Sequence, residues 1–161
     1  MPVHKSLTPD RNDDEFGRME AIHLSDAGGL TQFGVHLETL WPGAVTSLRH
    51  WHATEDELLY MLSGEMTLYE GEEVTTLGPG DCATWKAGEP VGHFLRNESD
   101  APATYLIVGS RRDSDTVTYP AHDRVLHVTP DGERFTTLDG APAEDSPYRR
   151  VIEGKATIDG A

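Results

Sequence analysis

Two histidines one residue apart, His50 and His52, are followed by three successive carboxylates, Glu55, Asp56 and Glu57, and a further histidine stands at His93. Imidazole nitrogens and carboxylate oxygens in such a set suit a divalent metal ion. His-x-His alone is weak evidence, because eight histidines in 161 residues give about 0.4 such pairs by chance. Strand geometry strengthens it. Side chains at i and i+2 of a β-strand share a face, so His50 and His52 aim into one space while Arg49 and Trp51 point the other way. A carboxylate must then come from the next strand, and parity leaves Glu55, Asp56 and Glu57 all open because a turn intervenes. His93, on a third strand, supplies a fourth ligand. Three neutral imidazoles and one carboxylate leave a divalent ion net positive. Octahedral geometry would leave open positions for water or substrate, which suits Mn, Fe, Co or Ni, with Zn also possible.

The elements that must position these residues read as strands. Val35, Leu37, Thr39 and Trp41 share one face of QFGVHLETLW, with His36 and Glu38 on the other. ELLYML (57–62) is apolar on both faces apart from Glu57, as in a strand covered on two sides. EMTLYE (65–70), VTTL (74–77), DCATW (81–85), VGHFLRN (91–97) and ATYLIVGS (103–110) follow, separated by Gly, Pro and acidic turns. VLHV (125–128) and RFTTL (134–138) are weaker matches, and no stretch carries the caps and 3.6-residue period of a long helix. The pattern predicts an all-β sandwich or barrel. Residues 1–18 read as an irregular N-terminal arm, 19–140 as the barrel with its motif core at 43–97, and 141–161 as an extended C-terminal tail.

Composition narrows the function classes. With 28 acidic and 13 basic residues the chain carries a formal charge of −15, which repels phosphate backbones and anionic membranes and excludes nucleic acid as an expected partner. No apolar run approaches the length of a membrane helix, and MPVHKSLTPDRNDDEF has no signal-peptide character, so a cytoplasmic location is expected. The single cysteine, Cys82, sits in an apolar run and reads as a small buried hydrophobe.

Set between their glycines, the histidines resemble the cupin superfamily, in particular its small single-domain, metal-binding members of the conserved-barrel type. The first motif of that family runs glycine, His-x-His, glutamate, glycine; here it reads Gly43, His50-Trp51-His52, Glu57 and Gly64, with the gap after Gly43 one residue longer than usual. The spacing back from Gly64 selects Glu57. The second motif reads Gly80, DCATW, Lys86, Gly88, His93 and Asn97, with lysine where the family has proline and a Gly-to-His gap two residues longer. The resemblance covers about residues 30–110 and implies a double-stranded β-helix (jelly-roll) barrel. It also implies one divalent metal ion held by His50, His52, Glu57 and His93, and a homodimer that covers whichever face of ELLYML, Leu58-Tyr60-Leu62 or Glu57-Leu59-Met61, does not line the lumen.

Fold does not fix the reaction. The first expectation is a metal-dependent isomerase of a small sugar or sugar phosphate, the ion polarising a carbonyl while a base moves a proton. His36, Glu38 and Tyr105 are the candidate bases if their strand faces line the lumen. The alternatives are an Fe(II)-dependent dioxygenase and a non-catalytic module that binds a small molecule or metal. The remaining histidines (His4, His23, His122 and His127) read as surface or supporting groups, Trp41 and Trp85 as core or lumen lining, and Asn97 as a turn residue. Arg49, Lys86, Arg96, Arg111 and Arg112 read as surface charge rather than an anion clamp.

Overall fold

The computed structural model describes residues 3–160, so the first two residues of the expected arm and Ala161 of the expected tail lie outside the described residues. The chain opens with β1 (Asp10–Asp14), β2 (Gly17–His23), the single turn of α1 (Leu24–Ala27), β3 (Phe33–Leu40) and the two-residue β4 (Trp51–His52). Next come β5 (Glu57–Ser63), β6 (Met66–Glu70), β7 (Glu73–Leu77), β8 (Cys82–Trp85), β9 (His93–Arg96) and β10 (Ala103–Ser110). It ends with β11 (Asp115–Tyr119), β12 (Arg124–Thr129), β13 (Gly132–Thr136), β14 (Pro142–Ala143) and α2 (Pro147–Ile152).

The strands form an all-β jelly roll. One wall is a six-stranded sheet in the order β1-β2-β3-β10-β5-β8, and the other is made by β14-β13-β12-β11-β4 and β7-β6-β9. A single bridge, His50 to His93, joins the latter two sheets, and another ties Val45, in the segment before β4, to Arg96. Every named strand pair is antiparallel. Leu40, Leu59, Met61, Met66, Leu95 and Tyr105 meet between the walls and are buried. Full burial of a side chain such as Leu59 contributes about 1.5–3 kcal/mol. The inward residues of β5 are Glu57, Leu59 and Met61, and those of β3 include Glu38 and Leu40, so strand parity carries one carboxylate from each strand inward with the apolar set. Gly64, the glycine that closes the first motif, has φ +74°, and a Cβ there would stand 2.6 Å from Ala103 Cα. Only glycine fits this junction without moving backbone.

Three features differ from the sequence reading. The arm is not irregular throughout: Asp10–Asp14 pairs in register with Gly17–His23, which puts β1 at the edge of the six-stranded sheet. Its five residues are all exposed, the usual state of a polar edge strand, so no hydrophobic alternation marks it. The tail is not extended: Ser146 accepts a hydrogen bond from the Arg149 N–H, Pro147 starts α2, and Val151 packs with Leu48, Val117 and Tyr119 in a second small core. Cys82 is exposed rather than buried. It lies opposite Tyr60 on the outer face of the sheet, where Leu58, Tyr60 and Leu62 are also exposed in this chain.

Candidate metal centre

Two walls bring His50, His52 and Glu57 into one cluster, with His93 beside Glu57 at its edge. β4 pairs with β11 through Val117–His52 and Thr118–Trp51, while His50 and His93 exchange backbone hydrogen bonds of 3.2 and 3.0 Å. His50, His52 and His93 thus project from one wall. Glu57, the first residue of β5, faces them from the six-stranded sheet. A ligand atom from each of His50, His52 and Glu57 lies within 4.8 Å of the others. His93 Nε2 lies 3.1 Å from Glu57 Oε2. The neighbouring acids go elsewhere: Glu55 accepts from the Arg112 N–H and Asp56 from the Ala87 N–H. The Ala87 bond and one from the Gly88 N–H to the His52 carbonyl tie down the lengthened loop before His93.

The hydrogen bonds behind the rings decide which nitrogen is bare. His50 Nδ1–H donates to the Leu48 carbonyl at 2.8 Å, and His52 Nδ1–H donates to Asp115 Oδ2 at 2.6 Å. Each ring therefore presents the lone pair of Nε2. Those lone pairs face Glu57 oxygens at 3.9 and 3.8 Å, acceptor against acceptor. Burial, outweighing the neighbouring Glu57, pulls the His50 pKa down to about 4, so this ring is neutral at pH 7. A cation between the rings and the carboxylate is what this donor set fits. His93 Nδ1 is buried without a hydrogen-bond partner, and its ring stacks on Trp85 at 3.9 Å.

Asp115 is the support that sequence reading missed. Its Oδ1 accepts from both the N–H and the hydroxyl of Thr54 while Oδ2 holds His52. Burial raises its pKa, but the hydrogen bonds from His52 and Thr54 outweigh that and leave it below the ordinary value. Glu57 behaves alike: burial pushes up, and the bond from His93 with the nearby His50 and His52 pulls it lower on balance. A second grouping, His52, Glu55 and Asp115, shares His52, but both oxygens of its Asp115 are already engaged as described.

Beside the cluster lies an interior cavity of about 220 Å³ bordered by His50, Glu57, His93, Glu38, Tyr105 and Tyr148, among others. Of the candidate bases, Glu38 and Tyr105 border this lumen and His36 does not. The Tyr105 hydroxyl donates to Glu38 Oε2 at 2.6 Å, and His36 Nδ1 lies 3.4 Å from Glu38 Oε1, behind it. Burial, with Glu38 alongside, holds the Tyr105 hydroxyl well above its usual pKa, so it stays a donor. Among the described residues no lysine or arginine borders the cavity. Arg49 donates to the Gly71 and Gly92 carbonyls, Arg96 pairs with Asp159, and Arg111 with Asp26. The other histidines stay outside: His122 meets the Ile158 carbonyl, His127 the Thr136 hydroxyl, and His23 Asp10. Trp85 lines the lumen, Trp41 lies under the Arg18 guanidinium, and Asn97 bonds the Leu40 and Ala101 carbonyls. Among the described residues no helix is long and apolar enough to cross a membrane.

Comparison with known proteins agrees with this geometry. A family model for the Cupin domain matches residues 36–109. Among solved structures, a sugar phosphate isomerase from a cupin superfamily, from Silicibacter pomeroyi, is 37% identical, with 86% of this chain and 93% of that chain covered and a TM-score of 0.76. A candidate sugar phosphate isomerase of Acidithiobacillus ferrooxidans is 24% identical, with 87% and 91% covered and a TM-score of 0.77. A predicted oxalate decarboxylase of Thermotoga maritima is also 24% identical, with 70% and 100% covered and a TM-score of 0.58. At 24% identity these two speak for the fold alone. Among curated proteins, none matches the chain. The paired motifs, the jelly roll and the 37% identity over most of both chains lead to one conclusion: this chain belongs to the cupin superfamily.

Proposed function

We propose that this protein is a metal-dependent isomerase of a small sugar or sugar phosphate, with His50, His52, Glu57 and His93 holding one divalent ion and Glu38 moving the proton. The observation that carries this reading is the placing of Glu38, held by Tyr105, in the same lumen as the histidine cluster. The likeness to the Silicibacter pomeroyi sugar phosphate isomerase supports it. A non-catalytic binding module would be favoured by a lumen without titratable groups beyond the ligands, and Glu38 with Tyr105 argues against it.

A divalent ion bound there supplies Lewis-acid polarisation of a substrate carbonyl. The remaining work falls to the chain. Glu38 takes the proton from the carbon beside the carbonyl and returns it to the former carbonyl carbon, while the hydroxyl proton of the first carbon passes to the former carbonyl oxygen, so the isomerisation has no net change in atoms or electrons. The Tyr105 hydroxyl fixes one oxygen of Glu38 and leaves the other facing His36, which restrains the carboxylate in one orientation. Leu59, Trp85, Leu95 and Ile107 form the apolar part of the wall, with Thr46 and Ser47 beside them, and limit water around the transferred proton. With no lysine or arginine on the cavity wall among the described residues and a net charge of −15, the unphosphorylated end of the substrate range fits best.

The test is a panel of aldoses and ketoses, free and phosphorylated, followed by proton NMR with the metal-loaded protein. Interconversion of at least one pair is expected; none across the panel sinks the isomerase reading. The proposal includes a homodimer over the outer face of β5, where Leu58, Tyr60 and Leu62 are 37%, 41% and 43% exposed beside a hollow of about 620 Å³ bordered by Phe33 and Val108. Sedimentation of the wild type and of Leu58→Glu should give a dimer and a monomer; a monomeric wild type removes that part.

A further inference from the structure

We propose that His36 exchanges the proton held by Glu38 with solvent, so that a histidine outside the lumen sets whether the migrating proton is kept or replaced. This rests on the isomerase reading above and deepens it.

Strand register makes the contact. Glu38 and His36 stand two residues apart on β3, so both face the side of the sheet that carries the core. Tyr105 lies opposite Glu38 on β10, and His23 lies opposite His36 on β2. The two oxygens of the Glu38 carboxylate are engaged on different sides. Oε2 accepts from the Tyr105 hydroxyl at the lumen, and Oε1 lies 3.4 Å from His36 Nδ1. The Glu38 side chain is 13% exposed and that of His36 30%, so the pair leads from the lumen wall out to solvent.

His36 is held in its turn. Its ring meets the ring of His23 edge to face at 4.4 Å between centroids, and His23 Nε2 lies 3.3 Å from Asp10 Oδ2 on β1. The polar edge strand thereby braces a row of four titratable groups, Asp10, His23, His36 and Glu38. Ile107, opposite His36 on β10, belongs to the lumen wall and stands between His36 and the cavity. A sugar seated in a cavity of about 220 Å³ takes the place of water on the lumen side of Glu38. The His36 side stays open to water.

The exchange balances in protons. Glu38, having taken a proton from the substrate carbon, passes a proton to His36 Nδ1. The imidazolium loses one N–H proton to water, gains another, and returns a proton to Glu38. One proton leaves, one enters, and no electrons move. Glu38 then delivers a solvent proton to the former carbonyl carbon.

The test runs the aldose or ketose that the metal-loaded protein converts fastest in D2O, and proton NMR at low conversion counts deuterium at the accepting carbon per turnover. Wild type is expected to place deuterium in most product molecules. His36→Asn keeps an amide N–H for Glu38 Oε1 but has no basic nitrogen to take up its proton. Deuterium per turnover should fall by about fivefold or more in this variant, a ratio that does not depend on kcat. If His36 only positioned Glu38, asparagine would keep the ratio at its wild-type level. A second measurement needs neither turnover nor metal: the His36 Nδ1 resonance of nitrogen-labelled protein should move in Glu38→Gln. Product free of deuterium from the wild type, wild-type deuterium from His36→Asn, or an unmoved resonance overturns the assignment of His36. Conversion of no sugar by the wild type is a different result: it overturns the isomerase reading and this inference with it.

Discussion

The histidine cluster and the C-terminal segment line one lumen but are held in place differently. The cluster rests on strand parity and adjacent ladders: His50 and His93 are bridged through their backbones, His52 pairs with Val117, and Glu57 begins the strand facing them. The C-terminal segment rests on side chains. Val151, Tyr148, Ala156 and Ile158 pack on Leu48, Val117 and Tyr119, and Asp145 pairs with Arg124 and Arg150. Where backbone registry positions a group, spacing along the chain reveals it. Where packing between distant segments positions it, spacing is silent.

This contrast can be broken by substitution. The largest effect is expected from Glu38→Gln, which keeps the hydrogen bond from Tyr105 but removes the base: kcat for the best panel substrate should fall by about a hundredfold or more with metal content unchanged. A drop within threefold would place the proton transfer elsewhere. Next, Asp115→Asn takes the anionic partner from His52 and should weaken metal affinity by about 10–100-fold, read by competition with a chelator. Unchanged affinity would reduce Asp115 to a loop anchor for Thr54.

The smallest effect belongs to the C-terminal segment. Arg124, hydrogen-bonded to Asp145, holds its pKa below the ordinary 3.8. A depressed carboxylate stabilises the fold fully above that ordinary value and loses its contribution as pH falls through the lower folded value. Hydrogen exchange over residues 145–160, corrected for intrinsic rate, should therefore hold steady from neutral pH down to about 5 and quicken only below about 3.8. Asp145→Asn should show the faster exchange at neutral pH, with metal affinity preserved. Slow exchange in the variant would mean that the second core alone secures the segment.

The middle of the chain was legible because period-two alternation and glycine turns survive in the sequence. ATYLIVGS is strand β10 residue for residue, and the glycine framing of the first motif singled out Glu57, which turns inward as Glu55 and Asp56 do not. Glu38 and Tyr105 were visible as candidates, though which face of β3 turned inward depended on pairing with β10. Asp115 was not visible, since it reaches His52 across 63 positions and shares no motif with it. The C-terminal helix did leave a signal, Ser146 before Pro147, which is an N-cap followed by proline at the first helical position. Tyr148 follows that signal by one residue. It borders the lumen only because the helix folds back onto Leu48 and Tyr119.

The most direct measurement is metal stoichiometry by elemental mass spectrometry on purified wild type, His52→Ala and Glu57→Ala, each after incubation with Mn, Fe, Co, Ni or Zn and removal of free ion. The expected result is about one ion per wild-type chain for at least one of these metals and none in either variant, with the β-rich circular dichroism of all three alike. Stoichiometric metal retained by either variant, or none held by the wild type under any loading, would contradict the centre built from His50, His52, Glu57 and His93.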